Sequence, residues 1–162
     1  MRTRLARAWP AAALGCRVIV GGFFVAAALG KLSRPAALFA NQIKAFAVAP
    51  EGWETPLAHA LPWVELVSGG MLLAGMFSMW AAGLVAAQLA AFSFALAAAM
   101  AAGTAPPDCG CLPGVSETPA QALARDAIMF LWTAVVIRRL PGPFSLDGWL
   151  GRGAEGGRGR EA

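Results

Sequence analysis

Charged side chains are scarce in this chain. Only 14% of its 162 residues are Asp, Glu, Lys or Arg, there is a single His, and there is no Tyr. A soluble domain carries roughly a quarter charged residues to cover its surface, so a water-facing globular fold is disfavoured. Disorder is excluded as well, because 58% of the chain is hydrophobic and a disordered chain is poor in such residues. The formal net charge of +4 would suggest nucleic acid only if the basic residues clustered on a folded polar face. They do not cluster, and no nucleic-acid partner is expected.

What the chain has instead is long uncharged runs. Residues 66–107 are 42 consecutive positions without Asp, Glu, Lys, Arg or His, about twice what one helix needs to cross a bilayer. This predicts a membrane hairpin with its break at Phe77-Ser78-Met79. Two further apolar stretches flank it, so four spans are expected, at about 11–32, 57–77, 80–103 and 121–140. The fold class is therefore all-α, an integral membrane four-helix bundle. Residues 1–10 form a short leading segment, 11–140 the transmembrane domain and 141–162 a flexible tail rich in Gly, Arg and Glu. Arg2, Arg4 and Arg7 before an apolar run, with Ala13-Leu14-Gly15-Cys16, faintly resemble a cleaved targeting signal. The apolar stretch before Cys16 is too short and continues well past it, so a retained first helix is expected.

Lys and Arg outside the spans number eight on the side of both termini and three, Lys31, Arg34 and Lys44, on the other. Positive residues favour the cytoplasmic side. Both termini are thus expected inside, and the connections at about 33–56 and 104–120 outside.

The chemical signal lies in the second outer connection, Asp108-Cys109-Gly110-Cys111, between Pro106-Pro107 and Pro113-Gly114. Two cysteines one residue apart can close only a small, strained ring, and strain makes a disulfide easy to exchange. The residues alone leave three readings open: a redox pair, inert thiols, or two legs of a metal site completed by Asp108, His59 or Met100. Cys16, near the opposite end of the first span, cannot complete a tetrahedral zinc site, and no metal is assigned. An oxidising outer compartment favours redox.

The second signal is ionisable residues at membrane depth. At about 1.5 Å per residue, Glu65 lies roughly 12 Å down the second span, and Arg125 and Asp126 roughly 6–8 Å down the fourth. Lys31 closes the outer end of the first. Charges in a bilayer are costly, are usually paired and point into the bundle. Glu65 with Arg125 or Lys31 is therefore either a helix tie or part of a polar pocket beneath the cysteine loop. His59 reads as an interfacial imidazole. Trp53, Trp63, Trp80, Trp9 and Trp149 read as an aromatic belt, with Trp132 packed in the bundle. The Gly21-Gly22 and Gly69-Gly70 pairs read as close helix contacts.

Taken in order, several segments resemble the methylamine-utilisation MauE family, within the DoxX-like four-helix membrane proteins. They are Gly30-Lys31-Leu32, Gln42-Ile43-Lys44-Ala45-Phe46 with Pro50, Leu61-Pro62-Trp63-Val64-Glu65-Leu66 before Gly69-Gly70, Asp108-Cys109-Gly110-Cys111, and Arg125-Asp126. The resemblance covers about residues 15–140. It implies an inner-membrane protein that assists periplasmic thiol and disulfide chemistry. The implied partners are a thioredoxin-like protein and the disulfide-rich small subunit of methylamine dehydrogenase; from the DoxX-like relatives, it also implies a quinone as a plausible cofactor. On that basis Cys109 and Cys111 are the redox pair, with Glu65, Lys31 and Arg125 lining the site. Whether the chain is itself an enzyme is left open, the nearest class being an accessory to thiol-disulfide oxidoreduction. The chain departs from the family pattern in two places. Leu112-Pro113-Gly114 follows Cys111 where Phe-Gly is usual, and Phe46 stands where Tyr is usual.

Overall fold

The computed structural model describes residues 2–47, 49–107, 115–138, 145–147 and 149, with side chains from residue 11 onward. Among the described residues the main helices are α1 (Arg2–Leu32), α2 (Ala36–Phe46), α3 (Glu54–Ala74), α4 (Ser78–Ala101) and α5 (Pro119–Ile137). Among the described residues there is no strand. Four helices among the described residues are long and apolar enough to cross a membrane, over Ala11–Leu32, Glu54–Ala74, Ser78–Ala101 and Pro119–Ile137.

Two of the boundaries have a local chemical cause. Helix α3 stops at Gly75, whose φ of 67° is the left-handed conformation that glycine adopts without a Cβ penalty. The Gly75 N–H donates to the Leu72 carbonyl and the Met76 N–H to the Met71 carbonyl, the two crossed bonds of a Schellman motif. The hairpin therefore breaks three residues earlier than the expected end at residue 77. Helix α5 starts with a capping box: the Thr118 Oγ1 accepts from the Gln121 N–H, and the Gln121 side chain accepts from the Thr118 N–H. Pro119 follows in the first turn, where its missing N–H costs nothing.

The connection between the first two spans, expected as a loop over 33–56, contains α2. Pro35 at its start is preset for helix entry, and Ile43 supplies the face that it buries. An eleven-residue helix is too short to register as a span, so hydropathy over a membrane-length window overlooks it.

Helices α1 and α3 form the most extensive pairing, followed by α4 and α5. Their crossing is set by two glycines. A Cβ on Gly69 would stand 2.8 Å from the Phe24 Cβ and 2.9 Å from the Gly21 carbonyl oxygen, and one on Gly21 would meet the Leu73 Cγ at 2.9 Å. Backbones at this range gain dispersion contacts that drive association where lipid is as apolar as the side chains. Gly22 and Gly70 face open space, so one glycine of each expected pair makes the contact. The core is Val20 and Phe24 of α1, Leu72 of α3, Ala81, Ala82, Val85 and Leu89 of α4, and Met129 and Val136 of α5, with Trp132 half-buried against it. The outer surface is apolar: Trp80 is 76% exposed and Phe94 72%, as expected of side chains that meet lipid.

Helix α4 takes its cap from the far end of the chain. Phe77 precedes it with φ 47° and its side chain makes no cap. The Asp147 carboxylate fills the role, accepting from the Phe77 N–H at 2.9 Å, the Ser78 N–H at 2.8 Å and the Ser78 hydroxyl at 2.7 Å. Its own N–H donates to the Gly75 carbonyl at 3.1 Å. These bonds, led by that from the Ser78 N–H, and the nearby Arg17 cation hold the Asp147 carboxyl below the usual carboxylate range.

Candidate functional site

The chain runs back and forth between two ends of the bundle. The end of α1, all of α2, the start of α3, the end of α4 and the start of α5 share one of them. There a cavity of about 380 Å³ opens between all five helices. Its walls are apolar and aromatic: Phe23 and Phe24 from α1, Phe39 and Phe46 from α2, Phe92 from α4, and Trp53 just before α3. Lys31, Glu65, Arg125 and Asp126 are the ionisable residues among its lining.

Helix geometry explains how these side chains meet. Side chains lean toward the N-terminus of their own helix. Lys31, ten residues beyond the Gly21 contact, therefore reaches back toward it. Glu65, four residues before Gly69 on the antiparallel α3, reaches the other way. The Lys31 Nζ meets the Glu65 Oε1 at 2.5 Å, with side-chain exposures of 8% and 1%. The ammonium also lies 5.0 Å from the centre of the Phe39 ring and 5.4 Å from that of Phe92, within reach of their negative faces. The other carboxylate oxygen, Glu65 Oε2, is buried without a hydrogen-bond partner among the described residues.

A second group lies alongside. Arg125 donates from Nε and Nη2 to one Asp126 oxygen, at 3.1 and 2.9 Å. Its Nη1 pairs with Glu117, and the guanidinium carbon is 4.8 Å from the Phe23 ring centre. Of the two partners expected for Glu65, then, the structure selects Lys31, and Arg125 serves the two acids of its own segment. Helices α3 and α5 begin three and two residues before the expected spans. Glu65 consequently lies about 16 Å from the start of its helix and Arg125 about 9 Å.

One turn further into the bundle from Glu65, the Gln88 Nε2 of α4 donates to the Ser68 Oγ at 2.9 Å, and Ser68 donates to the Val64 carbonyl at 2.7 Å. This bridge was not anticipated. The signal for it was available, since Ser68 and Gln88 are polar residues within the uncharged hairpin, where such groups seek interhelical partners. His59 is exposed, its Nδ1 paired at 2.9 Å with the Thr55 carbonyl. Among the described residues, no three His, Cys, Asp or Glu side chains group as metal ligands would. Cys16 is half-buried on α1. Cys109 and Cys111, with Asp108, lie outside the described residues; Pro107 and Val115, which flank them, belong to the connection between α4 and α5 at the cavity end.

Comparison with known proteins is consistent with this architecture. The profile of the family described as methylamine utilisation protein MauE matches residues 9–139. Nothing among curated proteins or solved structures matches the chain. With most of its length matched and four helices able to cross a bilayer, the chain is a membrane protein that belongs to the MauE family of methylamine utilisation.

Proposed function

We propose that this protein assists thiol and disulfide chemistry on the outer face of a bacterial inner membrane, through Cys109 and Cys111. Residues 11–140 are the membrane domain in this reading, with residues 1–10 and 141–162 on the cytoplasmic side. The observation that supports the proposal is that α4 ends and α5 starts at the bundle end where Lys31, Glu65 and Arg125 gather. In the sequence, Asp108-Cys109-Gly110-Cys111 lies between those two helices. Membership of a family of methylamine utilisation proteins supports a client that needs many disulfides, the small subunit of methylamine dehydrogenase, and an intermediary of the thioredoxin-like class.

The chemistry is thiol-disulfide exchange. The Cys109 thiolate attacks one sulfur of the partner's disulfide, so that the partner's S–S bond breaks and a mixed disulfide forms. Cys111, as thiolate, then attacks the Cys109 sulfur and expels the partner's sulfur. The partner leaves with two thiols, and Cys109 and Cys111 are joined; the reverse sequence oxidises the partner. A cation near the pair favours the thiolate, whereas Asp108 beside Cys109 opposes it.

Cys111→Ser removes the resolving attack and traps the mixed disulfide, visible as a partner-sized shift on non-reducing gels that collapses with dithiothreitol. If no partner is trapped and both wild-type cysteines resist alkylation, the reading fails. A Cys109→Ser/Cys111→Ser double variant that still supports amine dehydrogenase maturation points instead to an assembly scaffold.

A further inference from the structure

We propose that Glu65 and Gln88 hold one buried water molecule between them. It donates one hydrogen to Glu65 Oε2 and the other to Gln88 Oε1, and so joins the Lys31–Glu65 pair to α4. The site lies on the bundle side of the cavity and rests neither on the cysteines nor on the function proposed above.

Two orphan acceptors carry the inference. Glu65 is 1% exposed and Gln88 7%, and among the described residues neither Glu65 Oε2 nor Gln88 Oε1 has a hydrogen-bond partner. A buried oxygen without a donor loses its hydration and regains nothing. The orientation of the Gln88 amide is fixed by its surroundings. Ser68 gives its hydroxyl hydrogen to the Val64 carbonyl at 2.7 Å, which leaves the Ser68 Oγ to accept from the Gln88 Nε2 at 2.9 Å. The Leu84 carbonyl, 3.2 Å from the same nitrogen, can only accept. Turning the amide over would set its oxygen against two acceptors, so Oε1 is the side left without a donor. The two orphans are also neighbours along α3. Glu65 and Ser68 stand three residues apart on one helix face, and the Ser68 Oγ leans back to within 3.3 Å of the Glu65 carbonyl. The amide bonded to that hydroxyl therefore lies beside the turn that carries Glu65.

Charge and size select the occupant. Lys31 already balances the Glu65 carboxylate, so a metal cation or an ammonium would leave a surplus positive charge buried at membrane depth, which is costly. A single hydroxyl supplies one hydrogen and leaves the second acceptor bare. Water is neutral, brings two donors, and satisfies buried polar groups in this way in folded proteins. Its route is the cavity, which Glu65 lines and which Ser68 and Gln88 do not. With the bridge in place, Lys31 of α1, Glu65 and Ser68 of α3 and Gln88 of α4 form one hydrogen-bonded network, so that the ion pair and the position of α4 depend on each other.

The test is water-edited solid-state NMR of the full-length, isotope-labelled protein in lipid bilayers, which reads the side-chain carbons that take up magnetisation from water. In the wild type the Gln88 Cδ is expected to take it up, while the Cβ of Val85, on the same helix and 0% exposed, stays dark. The Glu65 Cδ is expected at the chemical shift of an ionised carboxylate. Uptake at Gln88 is expected to be unchanged when choline replaces sodium and potassium in the buffer. Lys31→Met/Glu65→Leu removes the other acceptor together with its counter-charge and leaves Gln88 its bonds to Ser68 and Leu84; uptake at the Gln88 Cδ is then expected to be lost while Val85 keeps its wild-type shifts. A wild-type Gln88 Cδ as dark as Val85 overturns the proposal whether or not the variant folds. So does a Glu65 shift of a protonated carboxyl, which would make Oε2 a donor itself, and so does uptake that requires an alkali cation. Uptake that survives in a folded Lys31→Met/Glu65→Leu variant overturns it as well, because the water would then not need Glu65.

Discussion

Lys31 and Glu65, 34 residues apart in the chain, meet at 2.5 Å inside the bundle. The pair ties α1 to α3 above their glycine crossing and, with Arg125 and Asp126, supplies the polar part of an otherwise apolar cavity. Its removal one member at a time is expected to be more damaging than its removal whole.

Lys31→Met leaves a carboxylate buried without its counter-charge and is expected to cost about 3–5 kcal/mol. The double variant Lys31→Met/Glu65→Leu replaces the pair by apolar groups of similar bulk and is expected to recover most of that loss. Thermal unfolding of the two variants in the same detergent compares them directly. A double variant no more stable than Lys31→Met would contradict a coupled pair.

Gly69→Val drives a side chain into the 2.8 Å approach to Phe24. The expected cost is about 1–3 kcal/mol, read as a lowered melting temperature in detergent. Gly70→Val, facing open space, is the control and is expected to melt as the wild type does.

Asp147→Ala removes the cap of α4 and is expected to cost about 1 kcal/mol, the usual worth of such a cap. The effect depends on pH in a defined direction. The carboxyl titrates below its usual range in the folded protein, so its contribution is complete above the unfolded carboxylate value and is lost as pH falls through the folded one. Melting temperatures of the wild type and Asp147→Ala, followed from neutral pH into acid, should converge. A constant gap would show that charge is not what Asp147 contributes.

Four crossing helices leave both termini on one side. Green fluorescent protein fused after residue 140 is expected to fluoresce, and alkaline phosphatase fused at residue 104 to be active, in line with the excess of Arg at the termini. The opposite pattern would place the cysteine segment in the cytoplasm and remove the compartment on which the proposed exchange relies.

Much of this architecture was legible along the chain. The uncharged run over 66–107 marks one hairpin; the capping box of Thr118 and Gln121 is equally local, but it was not anticipated, and the last span was expected from residue 121 rather than 119. These are local properties. Hydropathy needs only enough apolar residues to span the bilayer, and caps need only the side chain and the N–H groups a few residues away. Less legible were α2, too short for a membrane-length window, and Asp147, whose partners are about 70 residues distant.

By itself, the sequence determined that the chain crosses a membrane in four helices, that small residues allow two of them to touch, and that Lys31, Glu65, Arg125 and Asp126 lie toward one end. Only the tertiary structure decided which charges meet. Glu65 could have taken Arg125 or Lys31 on grounds of depth. The crossing of α1 and α3 at Gly21 and Gly69 brings Lys31 onto it, while Arg125 turns to Asp126 and Glu117. Depth follows from counting residues along one helix. Partnership depends on the rotation and separation of two helices, which packing alone sets.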